Sequence, residues 1–121
     1  YLNYGMYYCY NVTASIKDNP EAVLIRALEP LDNKDLMLKI RKVKREKDIA
    51  NGPGKLTKAL GITSDDNNMD LTLGKNIWIE DDGYVPNKIT ETTRVGIDYA
   101  EEFKDKLWRF YISENNNISK K

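Results

Sequence analysis

Apolar and polar residues alternate in short bursts along this chain, and the places where the rhythm breaks mark its elements. The opening segment, YLNYGMYYCYNVT, is rich in Tyr, Val, Thr and Cys with Gly5 as its punctuation, which reads as two strands meeting at a tight turn. Tyr4 and Met6 then sit at the hairpin tip, where large side chains gain little from burial. SIKDNPE, from Ser15 to Glu21, is a loop with Asn-Pro as its turn signal. AVLIRALEP runs as a strand from Ala22 and stops at Pro30. Its alternation puts Leu24, Arg26 and Leu28 on one face, so a guanidinium interrupts an apolar row.

Beyond Pro30 the period lengthens. Asp32 or Asn33 is placed to cap a helix reaching Lys47, with Leu36, Ile40 and Val43 as its apolar stripe. The other face of that helix carries Lys34, Lys39, Arg41, Lys42, Arg45 and Lys47. NGPGKLTKALGI, Asn51 to Ile62, reads as a turn, a short helix from Pro53 and a stop at Gly61. Residues 64–70 are loop, NIWIE at 76–80 is a short strand, and EDDGYVP is an acidic turn. ITETTRVGI at 89–97 alternates as a strand, DYAEEFKD is a short helix, and LWRFYI at 107–112 is the last strand. The expected fold is α+β: a single mixed domain over 1–121, mainly antiparallel sheet with a protruding β-hairpin and short flanking helices. Residues 114–121 read as a frayed tail.

Composition narrows the chemistry. The 121 residues are 40% hydrophobic, enough for one core. Nineteen basic side chains balance 19 acidic ones, so a bulk electrostatic nucleic-acid binder is not indicated, although a local basic surface is compatible. Cys9 is the only cysteine, which excludes an intrachain disulfide and favours a reducing compartment. The absence of histidine removes His-based acid–base chemistry, Ser/His and Cys/His triads and most zinc sites. No apolar run approaches membrane-spanning length and no signal peptide is visible. NVT at Asn11 and NIS at Asn117 match the glycosylation sequon by chance.

Four constellations have both a bland and a functional reading. Tyr4-Gly5-Met6 is either a hairpin whose tip happens to be aromatic or a wedge that fills the gap left when a nucleotide leaves the duplex stack. Arg26 is either an edge-strand side chain reaching solvent or a partly buried cation that fixes a phosphate or orders a water. Gly52-Pro53-Gly54-Lys55 is not a nucleotide-triphosphate loop, because Ile49 and Leu56 stand where that motif needs Gly and Ser or Thr. The positive end of a short helix with Lys55 beside it still suits one backbone phosphate, and an ordinary loop-to-helix junction fits equally well. The basic face between Lys34 and Lys47 is most simply a solvated surface. The pairs Asp65-Asp66, Glu80-Asp81-Asp82 and Glu101-Glu102 fall in turns or on a helix surface and suggest neither a catalytic dyad nor a metal site.

Taken together, YGMYYCYNV, AVLIRALEPL, GPGKLTKALGI, TTRVGI and RFYIS occur in the order and approximate spacing of the alkyladenine (3-methyladenine, or methylpurine) DNA glycosylase family. The resemblance runs from Tyr1 to about Ile112. It implies that Tyr4 inserts into the duplex in place of the flipped nucleotide, and that Tyr1 stacks on the extruded base. Asn11 matches the residue that crowds an exocyclic 2-amino group and so rejects guanine. Arg26 and the backbone carbonyl of Val95 match the groups that hold the attacking water. Met6, Tyr7, Lys55 and Gly96 match positions near the DNA backbone.

The implied reaction is base-excision repair: hydrolysis of the N-glycosidic bond of damaged purines such as 3-methyladenine, hypoxanthine or ethenoadenine, with no cofactor and no metal. The implied partner is double-stranded DNA containing damaged purines, bound by a monomer with no membrane association. Its setting would be the bacterial cytoplasm (nucleoid), or the nucleus in a eukaryote. The family's general-base glutamate lies N-terminal to the position matching Tyr1, so the chain is expected to be an N-terminally truncated fragment, active only with that segment. Phe103 stands where some members have tryptophan, and TSDDNNMD lacks a basic residue found there. Two other readings stay open: a non-catalytic binder of damaged or distorted DNA, and a domain of this fold with an unrelated small ligand.

Overall fold

Two eight-residue α-helices, two short 3-10 helices (Glu46–Asp48 and Ser64–Asp66) and three antiparallel strand pairs make up the regular structure of residues 2–3, 7–13, 21–66, 69, 71–72, 76–95 and 103–119, which a computed structural model describes. The chain divides into two compact units, Tyr1–Ile79 with Asn116–Lys121, and Glu80–Asn115.

In the first unit, β1 (Leu2–Asn3) pairs with β2 (Tyr7–Tyr8) in the register Leu2↔Tyr8 and Asn3↔Tyr7. This is the expected opening hairpin, with residues 4–6 between its strands and outside the described residues. After Cys9, β3 (Tyr10–Thr13) pairs with β4 (Ala22–Ile25), from Tyr10↔Ile25 to Thr13↔Ala22. The strand starts at Ala22 as the sequence predicts but ends at Ile25 rather than Pro30. Beyond it the chain turns to a different partner, and the Leu28 N–H donates to the Ala50 carbonyl at 2.9 Å.

The helix predicted to reach Lys47 is shorter. α1 spans Lys34–Arg41, and Lys42 closes it in the left-handed conformation at φ 56°. Arg41 supplies the reason: its Nε donates to the Ile49 carbonyl at 2.9 Å and its Nη2 to that of Asp48 at 3.4 Å. Folding the chain back lets Ile49 and Ala50 enter the core, which a helix continued to Lys47 would carry away. The predicted stripe is also rotated. Of the predicted three, Val43 packs on the core, but Leu36 and Ile40 are exposed, and Met37 and Leu38 take the inner positions instead. The near-continuous apolar run from Leu36 to Leu38 cannot select a face by periodicity. Asn33 precedes the helix as expected, but its side chain makes no cap bond.

α2 (Pro53–Leu60) follows the sequence closely, with Pro53 at its start and Gly61 at its end. Its inner face supplies Leu56 and Ala59, which join Ile49 and Ala50 as the centre of the core. Ile49 and Leu56 are fully buried; each such side chain contributes about 1.5–3 kcal/mol. Tyr10 and Ile25 pack on this cluster from the β3–β4 pair. Towards the far end of the chain, the Ser119 N–H donates to the Asn51 carbonyl and Asn117 Nδ2 to Glu29 Oε1. NIWIE forms no strand; Trp78 and Ile79 are half exposed, and the Ile79 N–H bonds the Leu71 carbonyl.

The second unit is built on β5 (Ile89–Thr92) and β6 (Arg109–Ile112), paired from Ile89↔Ile112 to Thr92↔Arg109. Thr90 Oγ1 and Ser113 Oγ lie 2.6 Å apart and extend this ladder. β5 stops before the predicted end at Ile97, and most of the predicted DYAEEFKD helix lies outside the described residues. In the acidic turn, Asp81 and Asp82 accept the backbone N–H groups of Gly83 and Tyr84. These carboxylates serve local turn geometry.

Candidate functional site

The resemblance distributes its site residues over the hairpin, the β3–β4 pair, the start of α2 and the end of β5. In the hairpin, Tyr1, Tyr4 and Met6 fall outside the described residues, and Tyr7 lies in β2. The base of the hairpin is tied to α2 by one hydroxyl. Thr57 Oγ1 lies 2.8 Å from the Tyr8 carbonyl and 3.0 Å from that of Gly54, and the residue is almost wholly buried. Thr57 was not singled out by sequence reasoning, although a hydroxyl between Leu56 and Ala59 on the inner face of a helix is itself a signal. It joins the backbone next to Tyr7 to the backbone next to Lys55.

Register and alternation sort the β3–β4 residues. Tyr10 and Ile25, directly opposite each other, face the helical core. Asn11 and Leu24, the next pair, therefore point to the other side. Cys9 and Arg26 are the residues next beyond the last pair of this ladder, Tyr10↔Ile25. The field of Arg26 is felt there. Burial pushes the Cys9 thiol up, and the Arg26 charge works against that rise. Arg26 is half-buried rather than extended into solvent, and it has interactions of its own.

Asn11 is the notable polar group of this face. Its Nδ2 is buried and has no hydrogen-bond partner among the described residues. A buried donor without an acceptor costs about 1–3 kcal/mol, so the position holds an amide that packing alone does not explain. On the core side, the Tyr10 hydroxyl is likewise buried and unpaired, and burial pushes its phenol up.

At the start of α2, Gly52 is extended and Pro53 occupies the first turn. Arg41, Gly52, Pro53, Gly54, Lys55 and Ser119 line an open pocket of about 320 Å³. Lys55 is exposed beside the first N–H groups of the helix, which have no intrahelical acceptor. The basic face of α1 is less available. Arg41 points inward, Lys34 pairs with Glu46 at 3.5 Å and Arg45 with Asp48 at 2.9 Å.

Val95 belongs to the second unit, at a bend just after β5, and Gly96 lies outside the described residues. Thr93 and Arg94, which lead into Val95, are held by side chains that the sequence did not mark. Arg109 Nε donates to the Thr93 carbonyl at 3.0 Å. The Arg94 guanidinium stands 5.1 Å from the Trp108 ring centre.

A model of the Methylpurine-DNA glycosylase (MPG) family matches residues 1–116. Two bacterial proteins, each named "Putative 3-methyladenine DNA glycosylase", are similar to the chain. One, from Clostridium botulinum (strain Hall / ATCC 3502 / NCTC 13319 / Type A), is 44% identical over 129 residues. The other, from Clostridium perfringens (strain 13 / Type A), is 43% identical over 131 residues. Each match covers 100% of this chain and 64% of the relative, so the chain spans just under two thirds of their length.

Proposed function

The chain belongs to the methylpurine-DNA glycosylase family, and from that premise we propose that the whole protein excises damaged purines from duplex DNA. It acts as a monofunctional glycosylase that flips the nucleotide out and hydrolyses its N-glycosidic bond. Water oxygen bonds to C1′ as the C1′–N9 bond breaks through an oxocarbenium-like sugar, the water's proton passes to a carboxylate base, and the purine leaves with the bonding electrons. Alkylated, cationic purines are the better leaving groups, so 3-methyladenine is the first substrate, with hypoxanthine and ethenoadenine as neutral extensions. The protein acts as a monomer on the bacterial chromosome, in keeping with relatives from Clostridium.

Within this reading Arg26 and the Val95 carbonyl orient the water, Asn11 guards the base pocket with Tyr1 stacked on the base, and Tyr4 takes the place of the flipped nucleotide. Met6, Tyr7, Lys55 and Gly96 approach the DNA backbone. The observation that carries most weight is the sorting of the β3–β4 pair. Asn11 lies on the side away from the helical core, and its buried amide donor has no partner there among the described residues. An amide poised beside a purine edge excludes a competing 2-amino donor by unfavourable donor–donor contact as well as by volume.

The test uses the complete gene product and duplexes carrying hypoxanthine or ethenoadenine, together with methylated DNA. Release of free base and alkali-labile abasic sites is expected, and Asn11→Ser should raise release of undamaged guanine. A wild-type protein that binds abasic duplex but frees no purine from any of these substrates would be a recognition protein without the reaction.

A further inference from the structure

Trp108 and Arg109, where the chain enters β6, hold Arg94 and Thr93, where it leaves β5, just before Val95. Arg109 is the one buried cation among the described residues of the second unit, 9% exposed. Its Nε donates to the Thr93 carbonyl at 3.0 Å, and its guanidinium lies 5.3 Å from the Tyr111 ring centre. Trp108, one residue earlier, carries the Arg94 guanidinium at 5.1 Å from its ring centre. Phe103 stacks on the same indole at 5.7 Å and 25°, and its carbonyl accepts from Arg94 Nη2 at 3.5 Å. Backbone at 93 and side chain at 94 are thus both fixed. Only ψ of Arg94 and the two torsions of Val95 remain to set where the Val95 carbonyl points.

A strand end one residue past its last ladder pair, Thr92↔Arg109, ordinarily frays. A bond from a charged donor to a carbonyl is about twice as strong as a neutral one. Desolvating a guanidinium on a two-stranded sheet carries a penalty that an apolar side chain of similar size would avoid. What the apolar side chain cannot do is grip a loop carbonyl. We propose that Arg109, assisted by Arg94 on Trp108, is a positioning residue that holds the Val95 carbonyl where it orients the attacking water. The inference rests on the base-excision reading and adds to it two residues that touch neither base nor water.

The complete gene product is assayed on a hypoxanthine duplex with enzyme in excess, giving the single-turnover release rate, and on an abasic duplex, giving Kd. Displacing a reacting group by about 1 Å costs on the order of 100-fold in rate. Arg109→Met should therefore slow release about 10- to 100-fold while Kd changes less than about threefold, and Arg109→Lys should recover part of the rate. If Arg109→Met no longer unfolds cooperatively, Arg94→Met carries the same expectation at about tenfold, since its guanidinium rests on a half-exposed ring. Unchanged release by the folded variant, or a loss wholly in Kd, overturns the positioning role while wild-type activity keeps the base-excision reading intact. Absence of release by the wild type removes that reading, and the positioning role with it.

Discussion

Cys9 and Tyr10 are adjacent, and both are easier to keep neutral in the folded chain than outside it. Their ordinary values are 9.0 and 10.0, and burial raises both. An acid whose folded pKa is raised binds more protons folded than unfolded in the window between the two values, so stability falls as pH rises through it. Both contributions are complete below about pH 9. Urea unfolding at pH 7 to 11 should show constant stability to about pH 9 and a decline above it. Cys9→Ala should remove the first part of the decline and leave the later one, which belongs to Tyr10. A flat profile to pH 11 would mean that neither group is shielded. Neither residue's environment was legible in the sequence; Tyr10, for one, packs on Ile49, Ala50, Leu56 and Ala59, far along the chain. Arg26 was more visible: a cation in the row Leu24, Arg26, Leu28 is anomalous in the sequence alone, and it is half-buried in the structure.

At the scale of elements, the two helices end alike but with different residues. In α2 the Ile62 N–H bonds the Thr57 carbonyl and the Gly61 N–H that of Lys58; in α1 the Val43 N–H bonds Leu38 and the Lys42 N–H bonds Lys39. This is the Schellman closure, which needs a left-handed residue at its corner. Gly61 meets it at φ 70° and Lys42 at φ 56°. A side chain in that conformation costs about 1 kcal/mol. Lys42→Gly is therefore expected to raise stability by about 0.5–1 kcal/mol, and Gly61→Ala to lower it by about 1 kcal/mol, since the added methyl would meet no atom within 4 Å. Chemical denaturation of the two variants side by side checks both signs. The contrast also explains what could be read in advance. Gly61 announces the end of α2, whereas nothing at Lys42 announces the end of α1, which is set by the pull of Arg41 on the 48–49 backbone. Thr57 lies in the same class of non-local contact. Thr57→Val keeps the volume but leaves the Tyr8 carbonyl without its partner, and should cost about 1–2 kcal/mol. The loss should appear first as faster amide exchange in β2, and unaltered exchange there would separate the hairpin from α2.

For the molecule as a whole, the order of strands, the turns around Gly61 and Gly83 and the antiparallel pairing follow from local patterns, while NIWIE shows their limit. Its residues are apolar enough for a strand, but among the described residues no strand pairs with it, and the Ile79 N–H bonds the Leu71 carbonyl instead. The candidate site is proposed mainly from the register of five motifs, because single residues such as Asn11 or Val95 have no local signature of the roles proposed for them. Charge behaves similarly. With 19 basic and 19 acidic side chains, the chain has no bulk field to hold DNA, and Lys34 and Arg41 of α1, with Arg45 beyond it, have partners within the chain. Attraction to duplex should then come from a few placed cations, of which Lys55, exposed at the start of α2, is the most specific. A neutralised phosphate contributes a slope of about −0.9 to log affinity against log salt concentration. Anisotropy titration of the complete gene product on abasic duplex from 50 to 200 mM salt should give a shallow line for the wild type, of only a few such steps. Lys55→Ala should weaken binding at every salt concentration and reduce the slope by about one. The loss should be equal for abasic and intact duplex, because a phosphate contact carries no information about the base. An unchanged slope would place Lys55 away from the phosphates, and a loss confined to abasic duplex would place it in the base pocket rather than on the backbone.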